Sequence, residues 1–272
     1  MTSIHQLNYV LQLADNALIL GHRISEWTGH GPILEQDIAI TNTALDHLGQ
    51  ARSLYQYAAE LYNQLPAEIQ EEVFSSPAFL NHKQPVTEDT LAYLRDAWDF
   101  RNVLLVEQDN GDWAYTIARS FFYDNYSVLL YTALRDSKDA TIAAVAEKSL
   151  KEALYHRRWS SEWVIRLGDG TGESKDRMQE AIQARWEYTG ELFEISDADK
   201  VMLEAGTGAD LAGIRSQWLT QVAEVLGEAT LEMPSADAWM QTGGKAGKHS
   251  EHLGYILAEM QYMQRAYPGM EW

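Results

Sequence analysis

From Leu34 to Tyr62 residues able to line a core return every three or four positions, at Leu34, Ile38, Thr41, Leu45, Leu48, Tyr55, Ala59 and Tyr62. Steps of that size keep side chains on one face of an α-helix, and sustaining them for roughly eight turns leaves little room for any other regular structure. Pro32 just ahead suits the helix start. Clear two-residue alternation is hard to find anywhere in the chain, so strands do not organise it.

The same reading predicts an earlier helix over about Ile4 to Trp27, closed by Gly29, His30 and Gly31, and pairing antiparallel with the one after it. Pro66, Pro77 and Pro85 interrupt residues 64–86 before a short helix over about Glu88 to Asp99. A turn at Asp109, Asn110, Gly111 and Asp112 caps the next helix, whose stripe is Ile117, Phe121, Val128 and Tyr131. Asp124 falls on that stripe. A long helix from about Asp139 to Leu167 aligns Ile142, Val145, Ser149, Glu152, His156, Trp159 and Trp163 and stops at Gly168 to Gly172. Three more are expected at about Ser174 to Phe193, Asp210 to Gly227 and Lys248 to Tyr267. No linker forces a division, so residues 1–272 are expected to form one all-α domain, a helical bundle with additional flanking helices.

Acidic residues outnumber basic ones 40 to 21, a formal net charge of −19, so a nucleic-acid backbone would be repelled over most of the surface. The chain has no cysteine, which removes disulfides, thiolate ligands and a cysteine nucleophile and fits a reducing cytoplasm. Met1 to Asn16 has neither a basic start nor a continuous apolar run, and no stretch reaches the roughly 18 apolar residues a membrane span needs. A soluble cytoplasmic protein is the expectation. Neither a Gly-x-Ser-x-Gly elbow nor a Gly-x-Gly-x-x-Gly turn after a strand is present.

Four of the long helices each carry a central acid: Asp15, Asp46, Asp124 and Glu152. Ferritin-like di-metal proteins draw a carboxylate from each of four helices and add a Glu-x-x-His pair on two of them. Here Asp46 and Glu152 take the place expected for the Glu of each pair, but the positions three further on are Gly49 and Tyr155. None of the eight histidines follows a Glu by three. The site therefore reads as degenerate, with no metal and no catalytic residue, and Asp124, Glu152 and His156 as a buried polar network neutralised by a base such as Arg52 on the second helix. An atypical metal set drawn from Asp46, Asp124, Glu152 and His156 is the alternative.

The segment Thr242-Gly-Gly-Lys-Ala-Gly-Lys-His249 departs from a phosphate-binding loop, yet Lys245, Lys248 and the following helix start could hold an anion or carboxylate. An ordinary loop is the other reading, with His249 and His252 as cap and packing residues. Met260, Tyr262, Met263, Tyr267 and Trp272 are candidates for a strip that meets a partner.

Six separated blocks occur in order: Leu20-Gly-His-Arg-Ile-Ser-Glu-Trp-Thr-Gly-His30, Leu45-Asp-His-Leu-Gly-Gln-Ala-Arg52, Leu105-Val-Glu-Gln108, Lys151-Glu-Ala-Leu-Tyr-His-Arg157, Thr242-Gly-Gly-Lys245, and His252-Leu-Gly254 with Ala258-Glu-Met-Gln261. Over nearly its whole length the chain resembles the non-catalytic C subunits of phenylacetyl-CoA epoxidase complexes. The resemblance implies a ferritin-like four-helix bundle inside a multicomponent monooxygenase that epoxidises the ring of phenylacetyl-CoA with oxygen and NADPH electrons delivered by a separate reductase. It also implies that a catalytic A subunit holds the di-iron centre, and that this chain has the same fold without the metal and supports A alongside the other subunits. Lys245 and Lys248 are then candidates for contact with A or with the CoA phosphates. Whether the isolated chain pairs with itself stays open.

Overall fold

A computed structural model describes residues 3–235 and 237–270. Helix α1 (Ile4–Ser25) starts where the Ser3 hydroxyl accepts the Gln6 backbone N–H at 3.1 Å. It packs along α2 (Leu34–Asn63), the longest helix of the chain. The turn between them is held by Asp37, whose carboxylate accepts the Gly31 N–H at 2.9 Å. A linking stretch follows with short helices α3 (Ala67–Val73), α4 (Pro77–Leu80), α5 (Glu88–Tyr93) and α6 (Leu104–Glu107), plus a 3-10 turn at Ala97–Asp99.

The second pair is α7 (Trp113–Leu134) and α8 (Ala140–Gly168), capped by Asp112 and Asp139 through their side-chain oxygens. Helix α2 also packs on α8, so α1, α2, α7 and α8 form a four-helix bundle. The antiparallel run of α2 and α8 is fixed by cross-helix bonds at two levels: Gln36 accepts from the indole N–H of Trp159 and Trp163 at 2.9 Å each, and Gln50 donates to Glu152 at 2.9 Å. Around the bundle lie α9 (Gly172–Trp186), α10 (Asp197–Glu204), α11 (Leu211–Glu228), α12 (Glu251–Met260) and α13 (Tyr262–Ala266), with 3-10 turns at Gly190–Phe193 and Gly244–Ala246. No strand occurs among the described residues, and the fold is the all-α ferritin-like one.

Several expectations need correction. The short helix expected over about Glu88 to Asp99 is α5 followed by the 3-10 turn, whereas α3, α4, α6 and α10 do not show as periodic runs, because segments of four to eight residues are too short to carry a stripe. Helix α9 ends at Trp186 rather than near Phe193, and the last helix is divided at Gln261, whose amide donates to the carbonyls of Ala92 and Arg95 at 3.0 and 2.9 Å.

The largest correction concerns the stripe on α2. Tyr55, Ala59 and Tyr62 are buried as expected, but Leu34, Ile38 and Leu45 are 72, 53 and 60% exposed. In that half of α2 the core face is Ile40, Thr43, Ala44, His47, Gln50 and Ala51. The reason is close helix approach: a Cβ added to Gly21 of α1 would sit 3.2 Å from Leu48 and 3.3 Å from His47, so beside Leu48 the seam has room for small or flat residues, and Leu34, Ile38 and Leu45 are turned outward.

Candidate functional site

Each α-helical residue is rotated by about 100° from its predecessor, so a shift of one residue decides what faces the bundle centre. On α2 and α8 the inward turns are His47 with Gln50 and Ala153 with His156, all buried. Of the positions singled out from the sequence on these two helices, His156 is one of the inward residues, and Asp46, Gly49, Glu152 and Tyr155 lie beside them. Asp46 is at the rim, its side chain 37% exposed, and accepts a hydrogen bond from His156 Nε2 at 3.0 Å. Glu152 accepts from Gln50 and lies 3.9 Å from the ammonium of Lys148. Tyr155 is exposed, and a Cβ on Gly49 would meet nothing within 4 Å. Gly49 and Tyr155 therefore do not mark where imidazoles were lost.

The expected network of Asp124, Glu152, His156 and Arg52 forms only in part. Arg52 points to solvent and sits 3.6 Å from Glu88. In its place is His47, a residue that no Glu-x-x-His spacing marks. Its ring centroid lies 5.0 Å from that of His156 and 6.1 Å from that of Tyr123. One ligand-type atom from each of His47, Asp124 and His156 lies within 4.8 Å of the other two. Neither ring nitrogen of His47 has a hydrogen-bond partner, nor has Asp124 Oδ2. The Gln50 side chain is close enough to raise the His47 pKa slightly without completing a well-formed bond. Burial, then the charge of His156, nevertheless holds that pKa well below the ordinary imidazole value. Burial pushes the Asp124 carboxyl up to about 6, against the opposing pull of His156 and a hydrogen bond from Ser160.

Asp15, the fourth central acid, is committed elsewhere. It accepts from Arg95 Nη1 at 3.2 Å and from the Arg101 backbone N–H at 2.7 Å, and it is also bonded to Arg95 Nη2 and to the Tyr55 hydroxyl. A two-iron carboxylate centre needs carboxylates that bridge two ions as well as imidazoles. With Asp15 neutralised by Arg95, and Asp46 and Glu152 turned to the rim, Asp124 is the one carboxylate left at the centre among the described residues. The residues present do not fit a di-iron cluster.

The glycine-rich segment already holds an anion belonging to the chain itself. Glu191 accepts the backbone N–H groups of Gly243 and Lys245 through Oε1 at 2.9 and 3.1 Å, and that of Leu104 through Oε2 at 2.7 Å. Lys245 is drawn inward, its ammonium 2.6 Å from the Glu194 carbonyl and 3.3 Å from Asp199. Lys248 stays exposed. His249 bonds Glu107 at 2.9 Å and the Phe100 carbonyl at 3.1 Å. Close packing explains the glycines: a Cβ on Gly244 would lie 2.2 Å from the Asn102 carbonyl, and Gly247, at φ +79°, would meet the Trp98 carbonyl at 2.4 Å. Nearby, α6 and its following turn are gripped by three arginines, with Arg23 donating to the Glu107 carbonyl, Arg119 to that of Gln108 and Arg185 to that of Asp109, at 3.1, 2.7 and 2.7 Å. This cluster accounts for the Leu105-Val-Glu-Gln108 block as structure.

On the outside, Ile33, Leu34, Ile38 and Leu45 make an exposed apolar row along α2. Because Asp46 bonds His156, the exposed Leu154 and Tyr155 of α8 stand at the level of Leu45. Of the C-terminal strip, Tyr262, Met263 and Tyr267 are exposed and Met260 is half-buried, while Trp272 lies outside the described residues.

Comparison with known proteins adds two findings. The family described as phenylacetic acid catabolic protein matches residues 2–272. The C subunit of the 1,2-phenylacetyl-CoA epoxidase of Escherichia coli (strain K12) is 45% identical over 264 residues, covering 97% of this chain and 98% of that protein.

Proposed function

This chain belongs to the phenylacetic acid catabolic protein family, and from that premise we propose that it is the C subunit of a 1,2-phenylacetyl-CoA epoxidase, silent as a catalyst on its own. Its partner is the catalytic A subunit, which carries the di-iron centre and receives NADPH electrons through a separate reductase among the remaining subunits of the complex. A bundle centre with a single uncommitted carboxylate supports this division of labour.

The observation that carries the supporting role is the apolar row Leu34, Ile38 and Leu45 on α2. Large aliphatic side chains in water on one helix face are a surface that gains from being covered. Full burial of each aliphatic is worth about 1.5–3 kcal/mol before the losses of association are subtracted. A partner seated there has its own helices braced by a rigid bundle, which fixes the groups that orient its iron ligands. Lys248, exposed beside the glycine-rich segment, is the lysine we assign to a contact with the partner or the CoA phosphates, since the Lys245 ammonium is held by Glu194 and Asp199. We place the complex in the cytoplasm, where CoA thioesters and NADPH reside; no helix among the described residues is long and apolar enough to cross a membrane.

The test is co-expression with the A subunit. Ile38→Glu combined with Leu45→Glu should weaken association roughly 100-fold, about 3 kcal/mol, while shifting the Tm of this chain by no more than about 2 °C. Unchanged affinity in the doubly charged variant would remove the α2 face from the interface. Oxygen-consuming turnover by this chain in isolation would overturn the supporting role itself.

A further inference from the structure

The centre of the bundle holds two imidazoles and a carboxylate that a supporting role leaves unused. We infer that His47, Asp124 and His156 form a binding site for one divalent late first-row transition ion, with zinc the best match to its donors. The three residues come from three different long helices, α2, α7 and α8, so the backbone holds them in place without a loop having to order. Their donor atoms lie within 4.8 Å of one another, wider than the roughly 3.3 Å between ligands around a tetrahedral ion. Closing on an ion then asks for side-chain adjustments on the order of 1 Å.

The unpartnered atoms point the same way. Both ring nitrogens of His47 and Asp124 Oδ2 are buried without a hydrogen bond, although groups so placed are nearly always satisfied. A cation would satisfy the Asp124 oxygen and one imidazole nitrogen at once. The donor set, two nitrogens and one oxygen with no thiolate and a single carboxylate, suits zinc or cobalt and is poor for calcium or magnesium. Three protein ligands leave a fourth position for water.

The surroundings are those of a metal-bound imidazole. His156 donates Nε2–H to Asp46, which fixes the ring and leaves the lone pair on its other nitrogen. Charge also balances: two neutral imidazoles, the Asp124 and Asp46 carboxylates and a doubly charged ion sum to zero, which burial requires. Two imidazoles and one carboxylate are too few donors to hold a pair of ions, so the site is mononuclear and distinct from the di-iron centre assigned to the partner.

Chelator-treated full-length chain would be titrated with Co²⁺, read by its visible absorption bands, and with Zn²⁺, read by calorimetry. One ion per chain is expected. His47→Gln and Asp124→Asn should each lower affinity at least roughly 100-fold, and Asp46→Asn, at the rim, roughly 10-fold by loosening His156. His30→Gln, on an exposed histidine, is the control and should leave binding unchanged. Circular dichroism of each metal-free variant establishes that it folds, and the Asp46 variant keeps the test decisive if a core variant does not. Binding that is absent, that survives His47→Gln at full affinity, or that reaches two ions at the centre would overturn the site, as would a crystal of zinc-soaked chain with water alone between the three residues. None of those outcomes touches the α2 docking face, which is built from outward-facing side chains.

Discussion

Removing the Arg95 guanidinium would strand the Asp15 carboxylate where no water reaches, since both side chains are fully buried. The arginine also lies over the Phe100 ring at 4.2 Å and bonds the Leu91 and Asp99 carbonyls at 2.6 and 3.1 Å, so it ties α1 and α2 to the linking stretch. Arg95→Met should therefore cost about 3–5 kcal/mol of unfolding free energy in urea. Adding Asp15→Leu should return most of that loss, because the stranded charge is the larger part of the damage and an apolar pair fills similar space. Retention of the full loss in the double variant would mean that the Tyr55, Leu91 and Asp99 contacts, rather than the buried charge, carry the stabilisation. Asp15 is legible in the sequence as a central acid, being one polar residue on an apolar stripe. Arg95 is not, because its partner lies 80 positions away and nothing periodic surrounds it.

Helix α2 presents its surprises as a unit, and glycine substitutions test how it is seated. At Gly49 an added methyl meets nothing within 4 Å, so Gly49→Ala should stabilise the chain by about 0.5–1 kcal/mol through a stiffer unfolded state and a better helix former. Gly244→Ala, whose methyl would press within 2.2 Å of the Asn102 carbonyl, should cost about 1–3 kcal/mol. Opposite signs in thermal unfolding are the expected result; a loss at both sites would place Gly49 on a packed face and undo the inward register of His47. The existence and order of the long helices can be read from spacing, since their stripes run for many turns. The register of α2 cannot, because its core line of Ala44, His47, Gln50 and Ala51 is small or polar while its outward line is Leu34, Ile38 and Leu45, which inverts the usual sign of hydrophobic patterning. The same inversion hides His47 and promotes Asp46, so spacing finds His156 on α8 but falls one residue off on α2. Helix α10 leaves a local signal that periodicity ignores, the Ser196 and Asp199 capping box.

Taken whole, the molecule joins a net charge of −19 to an apolar row along α2, and these two properties make opposite demands on association. Charge keeps copies apart and is screened by salt, with a reach of about 10 Å at 0.1 M ionic strength. Covering Leu34, Ile38 and Leu45 is insensitive to screening and is favoured slightly by salts that strengthen apolar burial. If the α2 face is the docking surface, the affinity for the catalytic partner should stay within about threefold, or rise, between roughly 50 and 500 mM salt, while the association rate changes more than the dissociation rate. A contact led by Lys248 and other surface charges behaves differently, losing affinity steadily as salt increases. Surface plasmon resonance on the two purified proteins at several salt concentrations separates the two. A steep fall would reassign the interface to the charged loops, whereas a flat response that Ile38→Glu with Leu45→Glu abolishes would confine it to the helix face that the sequence pattern assigns to the core.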